Sequence, residues 1–326
     1  MSKKYYDIEK MKRSLNKLVQ VGEELSKIES DVYYPARKWS PIKLKLLADY
    51  IHLYSNIWSK RRNFCQNFFY IDPLAGAGIN KIEDTSDVIA GSPIISVIIS
   101  ENLFNKYFFA ESDAKKKRAL QSRLEKILSP NQFEIEDDCN MLISHVAEFL
   151  SKEHTRMHYL LFVDCEGIEP KWQNMSELLY YPGDLIFVFQ TIEVWEQIRH
   201  YKNFEGVTKF FGNEEWKKVN RKEMLVDIYK KQVANVITCL GKKRELVDHV
   251  PIRGKHFYYD MIFATVKTKE GSPWFTNFMF HAKKIVTMKG DDIKYVLDIL
   301  KGRSAQLDWY MQSTNKLNHY IDYDKS

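Results

Sequence analysis

The residues of this chain with the clearest chemical potential are acids at the ends of apolar runs. FFYID closes on Asp72, YFFAE on Glu111, FEIEDD on Asp137 and Asp138, and YLLFVD on Asp164. After Asp72 comes Pro73, which has no N–H to give a sheet, and then Gly76-Ala77-Gly78, a turn able to hold positive φ. In an open α/β sheet, ligands sit beyond the carboxyl ends of the strands, which is where such acids and such a turn would lie. A single strand-ending Asp is more often a helix cap or a surface charge. Four acids in register, with a glycine turn behind the first, read as a site.

The turn also says what the ligand is not. A dinucleotide fold carries G-x-G-x-x-G so that a pyrophosphate can approach a helix N-terminus. Here Gly76-Ala77-Gly78 is followed by Ile79-Asn80-Lys81, with no third glycine and with Asp72 close by. A phosphate cradle beside that acid is electrostatically awkward, which disfavours an NAD-dependent oxidoreductase. S-adenosylmethionine has no phosphate; it offers a sulfonium, an ammonium, a carboxylate and a ribose diol. Gly76 and Gly78 would let the backbone pass close to its methionine part and ribose, while Asp72 would shape the loop and face the cationic end. Glu111 would accept from both ribose hydroxyls. Asp138 would take the adenine amine, with a backbone N–H near Cys139 meeting the ring, and Asp164 would face the methyl acceptor.

The elements that must position these residues alternate. Strands ending on the four acids are each followed by a helical stretch, and a fifth strand, DLIFVFQ, runs to Gln190. Alternation of this kind gives parallel βαβ units and a doubly wound sheet. RELVDHVPIR and HFYYDMIFATVK form a hairpin around Gly254, which supplies a sixth strand and an antiparallel seventh. Ahead of the sheet, residues 5–29 carry a thin apolar stripe, expected on the surface or against a partner. The segment from Ser40-Pro41 to Trp58 reads as a stronger amphipathic helix, with Ser40 as N-cap and Ile42, Leu46, Leu47, Tyr50, Ile51 and Tyr54 on the buried face. Asn80 to Ala90 reads as a polar loop, and Val194 to Leu240 as a helical insertion broken at Gly206 and Gly212. The expected division is a basic helical extension over 1–62, a Rossmann-like domain over 63–270, and C-terminal helices over 271–326 packed on it.

Composition narrows the class. At 326 residues, with 44% hydrophobic residues, 19 Phe and 19 Tyr, the chain can bury a large core. Its longest apolar runs fall short of the roughly 18 residues a bilayer helix needs, and the charged N-terminus lacks a signal peptide's apolar core, so a cytoplasmic protein is expected. The four cysteines, Cys65, Cys139, Cys165 and Cys239, form no CxxC pair, and the histidines show no metal-ligand spacing. Cys139 and Cys165 read first as buried fillers, with a pyrimidine-attacking nucleophile as the lesser reading of Cys165. Residues 1–62 hold 14 Lys and Arg against 7 Asp and Glu, an excess that fits a nucleic acid as well as it fits a solvated helix face. The run Lys115 to Arg118 has the same two readings.

Taken in order, Trp39-Ser40-Pro41-Ile42-Lys43-Leu44, YIDPLAGAG, Gly91-Ser92-Pro93, FFAES, Asp138-Cys139-Asn140, LLFVDCEG, Phe211-Gly212-Asn213-Glu214-Glu215-Trp216 and HFYYDMIFATVKTKEGSPWF resemble the three-Cys-motif partner family, a branch of class I S-adenosylmethionine-dependent methyltransferases. The resemblance covers roughly residues 35–310. It implies a seven-stranded Rossmann-like fold, a cofactor site at Asp72, Gly76, Gly78, Glu111 and Asp138, and a partner protein that carries the three cysteines; Leu74, Ser92 and Cys139 are expected to complete the cofactor site. The departure is at strand four. Proteins of that family usually carry Asp-Pro and an aromatic or Gly there, similar to the D-P-P-Y of amino-group methyltransferases, whereas this chain has Asp164-Cys165-Glu166-Gly167. Asp164 and Glu166 are the expected catalytic residues, orienting the acceptor and taking its proton. The rival reading of the altered loop is a nucleic-acid- or partner-binding module that has lost catalysis.

Overall fold

A computed structural model of the chain describes residues 7–83, 85–254, 257–268, 271–287 and 291–302. The first six residues and the expected C-terminal segment beyond 302 lie outside the described residues. In chain order the elements begin with α1 (Ile8–Leu25), β1 (Tyr34–Ala36), α2 (Ser40–Trp58), β2 (Asn67–Asp72), β3 (Ile79–Ile82), β4 (Val88–Ala90) and α3 (Ser92–Ser100). Next come β5 (Lys106–Ala110), α4 (Ala114–Leu124), β6 (Phe133–Glu136), α5 (Cys139–Ser151), β7 (Met157–Val163), α6 (Trp172–Leu179) and β8 (Gly183–Phe189). The chain continues through α7 (Thr191–Arg199), α8 (Phe204–Phe211), α9 (Leu225–Asn235), β9 (Leu246–Arg253), β10 (Tyr258–Thr265), α10 (Pro273–Thr287) and α11 (Asp291–Leu300).

Seven strands form one sheet in the order β6-β5-β2-β7-β8-β10-β9. The first five pair in parallel, and β10 runs antiparallel to both β8 and β9. This is the doubly wound, Rossmann-like layout expected; the last strand of the chain is the antiparallel one and sits one place in from the edge. Its central strands are buried on both faces, which is why FFYID and LLFV read as unbroken apolar runs and not as alternating ones. One side of the sheet is covered by α1, α2, α3, α10 and α11, the other by α5 through α9. None of the described helices is long and apolar enough to cross a membrane.

Four sequence expectations need correction. Asn80 to Ala90 is not a plain loop: β3 and β4 pair antiparallel, and β1 pairs in parallel with β3. These strands are three or four residues long, too short for a period-2 pattern to register. The N-terminal helix is not left on the surface, since Met11, Leu15, Leu18 and Leu25 bury against α3, β4 and α11. Helix α2 is buried nearly all round, because α1, α3, α10 and α11 enclose it, and its flanking N-cap is Trp39 with Ser40 already helical. In the insertion, Gly212 ends α8 at φ +68°, but Gly206 breaks nothing; its amide is capped by Asn203.

Candidate active site

The glycine turn is built from below. Asp72, the last residue of β2, is fully buried and accepts from the Leu74 amide at 3.3 Å, the Tyr70 hydroxyl at 3.5 Å and Ser92. Burial pushes its carboxyl up to about 7, against these hydrogen bonds. Gly76 and Gly78 both hold positive φ, +64° and +76°, and a Cβ on Gly78 would stand 3.0 Å from the Leu120 methyl. The chain then enters β3, whereas a dinucleotide turn opens straight into a helix. The nearest helix start, α3, is already faced by Asp72 through Ser92.

A buried arginine fixes the turn to the N-terminal segment. The Arg123 guanidinium, 1% exposed, donates to Ala77 O at 2.6 Å and to the carbonyls of Leu25, Ile28, Glu29 and Val32. It thereby sets the course of residues 28–33 and delivers β1 to the edge of the site.

Beyond the ends of β2, β5 and β7 lies a cavity of about 510 Å³. Of the residues expected at a cofactor site, Leu74, Gly76, Ser92, Glu111, Asp138 and Cys139 line it, as do Asp164 and Glu166. Asp72 and Gly78 do not: the Asp72 carboxylate is turned into the loop by the Leu74 amide, and Gly78 packs toward α4. Asp138 keeps its bland role too, since its Oδ1 caps α5 by accepting from the Asn140 and Met141 amides, both at 2.9 Å. Glu111 Oε1 accepts from the Asp113 amide at 2.8 Å. Each of these carboxylates therefore has one oxygen partly committed to backbone. Six carboxylates line the cavity, from Glu111, Asp137, Asp138, Asp164, Glu166 and Glu169, against the two ammonium groups of Lys116 and Lys171.

The loop after β7 is organised by residues from far away in sequence. Lys43, in the first turns of α2, pairs with Asp164 Oδ2 at 2.6 Å, and its neighbour Leu44 lines the cavity. The Tyr34 hydroxyl donates to Glu166 in a short hydrogen bond, and its ring packs over Gly76 at 3.6 Å from where a Cβ would stand. Burial and the Glu166 contact hold the Tyr34 phenol far above its ordinary range, so it remains a donor. Lys116, within the run read as solvated, sets its ammonium 5.3 Å from the Tyr34 ring centre. Asn140 ties the far side of the loop, donating to Glu169 O at 2.9 Å and accepting from the Lys171 amide at 2.8 Å. Neither Tyr34 nor Lys43 stands out in the sequence as a site residue, although Lys43 lies within the WSPIKL motif.

Neither Cys139 nor Cys165 is a reactive group here. Cys165 is fully buried, its thiol donates to Val188 O at 3.2 Å, and burial raises its pKa well above the ordinary value, which removes the nucleophile reading. Cys139 is pushed up to about 12 by the same cause.

No protein-family model matches the sequence, and no curated protein matches it. Among solved structures, the chain is similar to Trm1 from Pyrococcus horikoshii in complex with S-adenosyl-L-methionine, at 11% identity and a TM-score of 0.38, over 72% of this chain and 56% of that one. It is also similar to the O-methyltransferase from Bacillus cereus in complex with SAH, at 13% identity and a TM-score of 0.40, over 78% of this chain and 91% of that one. The O-methyltransferase TomG from Streptomyces achromogenes, in complex with SAM, matches at 13% identity and a TM-score of 0.40, over 78% and 89%. These likenesses are distant, and the chain spans little more than half of the Trm1 chain. What the site can do is read from its own residues.

Proposed function

We propose that the chain is an S-adenosylmethionine-dependent methyltransferase whose acceptor is a nucleic acid or a nucleobase-like group. The observation that carries this reading is the charge of the cavity: six carboxylates against two lysines, beside a glycine turn that leads into a strand. A pyrophosphate would meet net repulsion there. A ligand with cationic groups and a diol suits the same donor set. Glu111, through Oε2 and the remaining capacity of Oε1, would hold the ribose hydroxyls, and Asp138 Oδ2 would take the exocyclic amine. Leu74, Ser92 and Cys139 would complete the wall, and Gly76 would let the ligand close on the backbone. Asp72 would act from beneath, by fixing the turn.

When bound, S-adenosylmethionine supplies an electrophilic methyl group on its sulfonium. The protein's share is alignment and exclusion of water. Asp164, steadied by Lys43, would orient the acceptor. Glu166, held by the Tyr34 hydroxyl, would receive the acceptor's proton. Tyr34, from β1, covers the Gly76 side of the cavity. The resemblance to three-Cys-motif partner proteins brings a three-cysteine partner into the same reading.

The test is to incubate the protein with methyl-labelled S-adenosylmethionine and separated RNA, DNA, protein and small-molecule fractions. Label in RNA or DNA is expected. Label only in protein or small molecules would remove the nucleic-acid acceptor, and label in no fraction would favour the inactive module.

A further inference from the structure

We infer that a strip of cation-covered aromatic rings beside the cavity mouth is a binding surface for single-stranded nucleic acid. The strip joins three segments that are distant in sequence. Trp39, at the start of α2, stacks on Phe257 from the β9–β10 hairpin with ring centres 3.8 Å apart and planes 15° from parallel. The Arg37 guanidinium carbon lies 5.5 Å from the Trp39 ring centre. The ring of the next hairpin residue, Tyr258, is itself buried, and it props up cations at the surface: the Arg253 guanidinium carbon lies 4.5 Å from its ring centre and the Lys222 ammonium 5.8 Å. Arg253 also donates to the Tyr258 hydroxyl at 3.1 Å.

Its place follows from strand register. Asp260 of β10 pairs with Phe189, the last residue of β8, so the end of β9 at Arg253 and the start of β10 at Tyr258 lie at the end of the sheet where β2, β5 and β7 open into the cavity. From Trp39 the link inward is short: Lys43 holds Asp164, and Leu44 lines the cavity. The strip therefore runs from the acceptor side of the site outward.

Charge complementarity picks the occupant. No ion pair of Arg37, Lys222 or Arg253 occurs among the described residues, although Glu223 and Asp227 lie nearby. Guanidinium and ammonium groups resting on rings are already ordered, so little side-chain entropy is lost when they meet phosphates. The cavity inside carries the opposite sign. An acidic pocket behind a basic rim suits a strand whose phosphates stay outside while one unpaired base enters. The N-terminal helix, by contrast, carries no net excess: exposed Arg13 and Lys17 are offset by exposed Glu9, Glu23 and Glu24, and Lys10 pairs with Glu101. The excess of positive charge in residues 1–62 reaches the site through Arg37 and Lys43, not through α1.

What the strand is brought to rests on the methyltransferase reading; its binding does not. Fluorescence anisotropy of labelled RNA and DNA single strands of roughly 20 nucleotides would compare the full chain with Arg37→Ala/Lys222→Ala/Arg253→Ala across salt concentrations. Thermal unfolding would verify that the variant folds, and calorimetry would follow S-adenosylmethionine binding in both proteins. Salt-dependent binding by the native chain is expected, with the slope of log K against log salt reduced by about 2 in the variant, roughly 0.7 for each phosphate that no longer meets a cation. An unchanged slope, no binding by the native chain, or equal affinity for polyglutamate would overturn the inference. Loss of strand binding with cofactor binding intact in the native chain would overturn the strip alone. Strand binding without cofactor binding would overturn the methyltransferase reading and leave the strip.

Discussion

The two sides of the cavity are made in different ways. The wall formed by the Gly76 turn, Glu111 and Asp138 comes from consecutive strand ends, so each residue is placed by the strand immediately before it. The mouth around Asp164 and Glu166 is assembled by Tyr34 and Lys43, delivered by a short strand and a buried helix. A wall of local origin can serve any acceptor, while a mouth of distant origin is where an acceptor would be chosen. If that division holds, changes to the mouth should alter turnover, and changes beneath the wall should alter stability or cofactor binding.

The largest effect is expected at the mouth. Asp164→Asn keeps the shape but removes the charge facing Lys43 and the acceptor, and should lower kcat about 10²-fold, the scale for a misplaced reactant. Cofactor affinity by calorimetry should stay within a few-fold. An equal loss in both would merge the two regions.

Beneath the wall, Asp72 gives a pH signature. Its carboxyl titrates at about 7 in the fold against an ordinary value of 3.8, so the native state holds more protons between those limits. Stability should therefore fall as pH rises from about 4 to 7 and level off above, by an amount on the order of 3–4 kcal/mol at most. Asp184 and Asp260, each raised to about 6 by burial, add slope of the same sign. Asp72→Asn should flatten the profile in part and be the more stable protein at pH 8 in denaturant titrations. A profile as steep as that of the native chain would contradict the burial argument.

Arg123 joins the two regions, since it holds both the turn and the segment leading to Tyr34. Arg123→Met should cost roughly 3 kcal/mol or more, because buried carbonyls left without donors cost about 1–3 kcal/mol each. The smallest change is Tyr34→Phe. Losing one partly exposed hydrogen bond to a carboxylate is worth about 1 kcal/mol, a several-fold fall in kcat with little change in Tm. A fall in cofactor affinity instead would move Tyr34 to the wall.

This division also explains how far the sequence could be read. The sheet was legible because buried parallel strands write themselves as apolar runs, and the wall was legible because its acids end those runs. Asp138 shows the limit even there: the same residue that faces the cavity caps α5, and sequence cannot say how two carboxylate oxygens divide their work. Asp72 reads from sequence as facing the ligand but points into its own loop, a matter of one rotamer. Tyr34 and Lys43 were not legible as site residues, because their partners Glu166 and Asp164 lie more than a hundred positions away. Helix α2 misled for the same reason, its polar positions finding distant partners, such as buried Asn56, which accepts from the Lys10 ammonium at 3.0 Å.

The most direct measurement of the central claim is isothermal titration of S-adenosylmethionine into the native chain and into Glu111→Ala. Saturable binding by the native chain, weakened at least about tenfold in the variant by the loss of a charge-assisted acceptor worth about 1.5–3 kcal/mol, is predicted. No binding by the native chain, or equal binding by both, would contradict it.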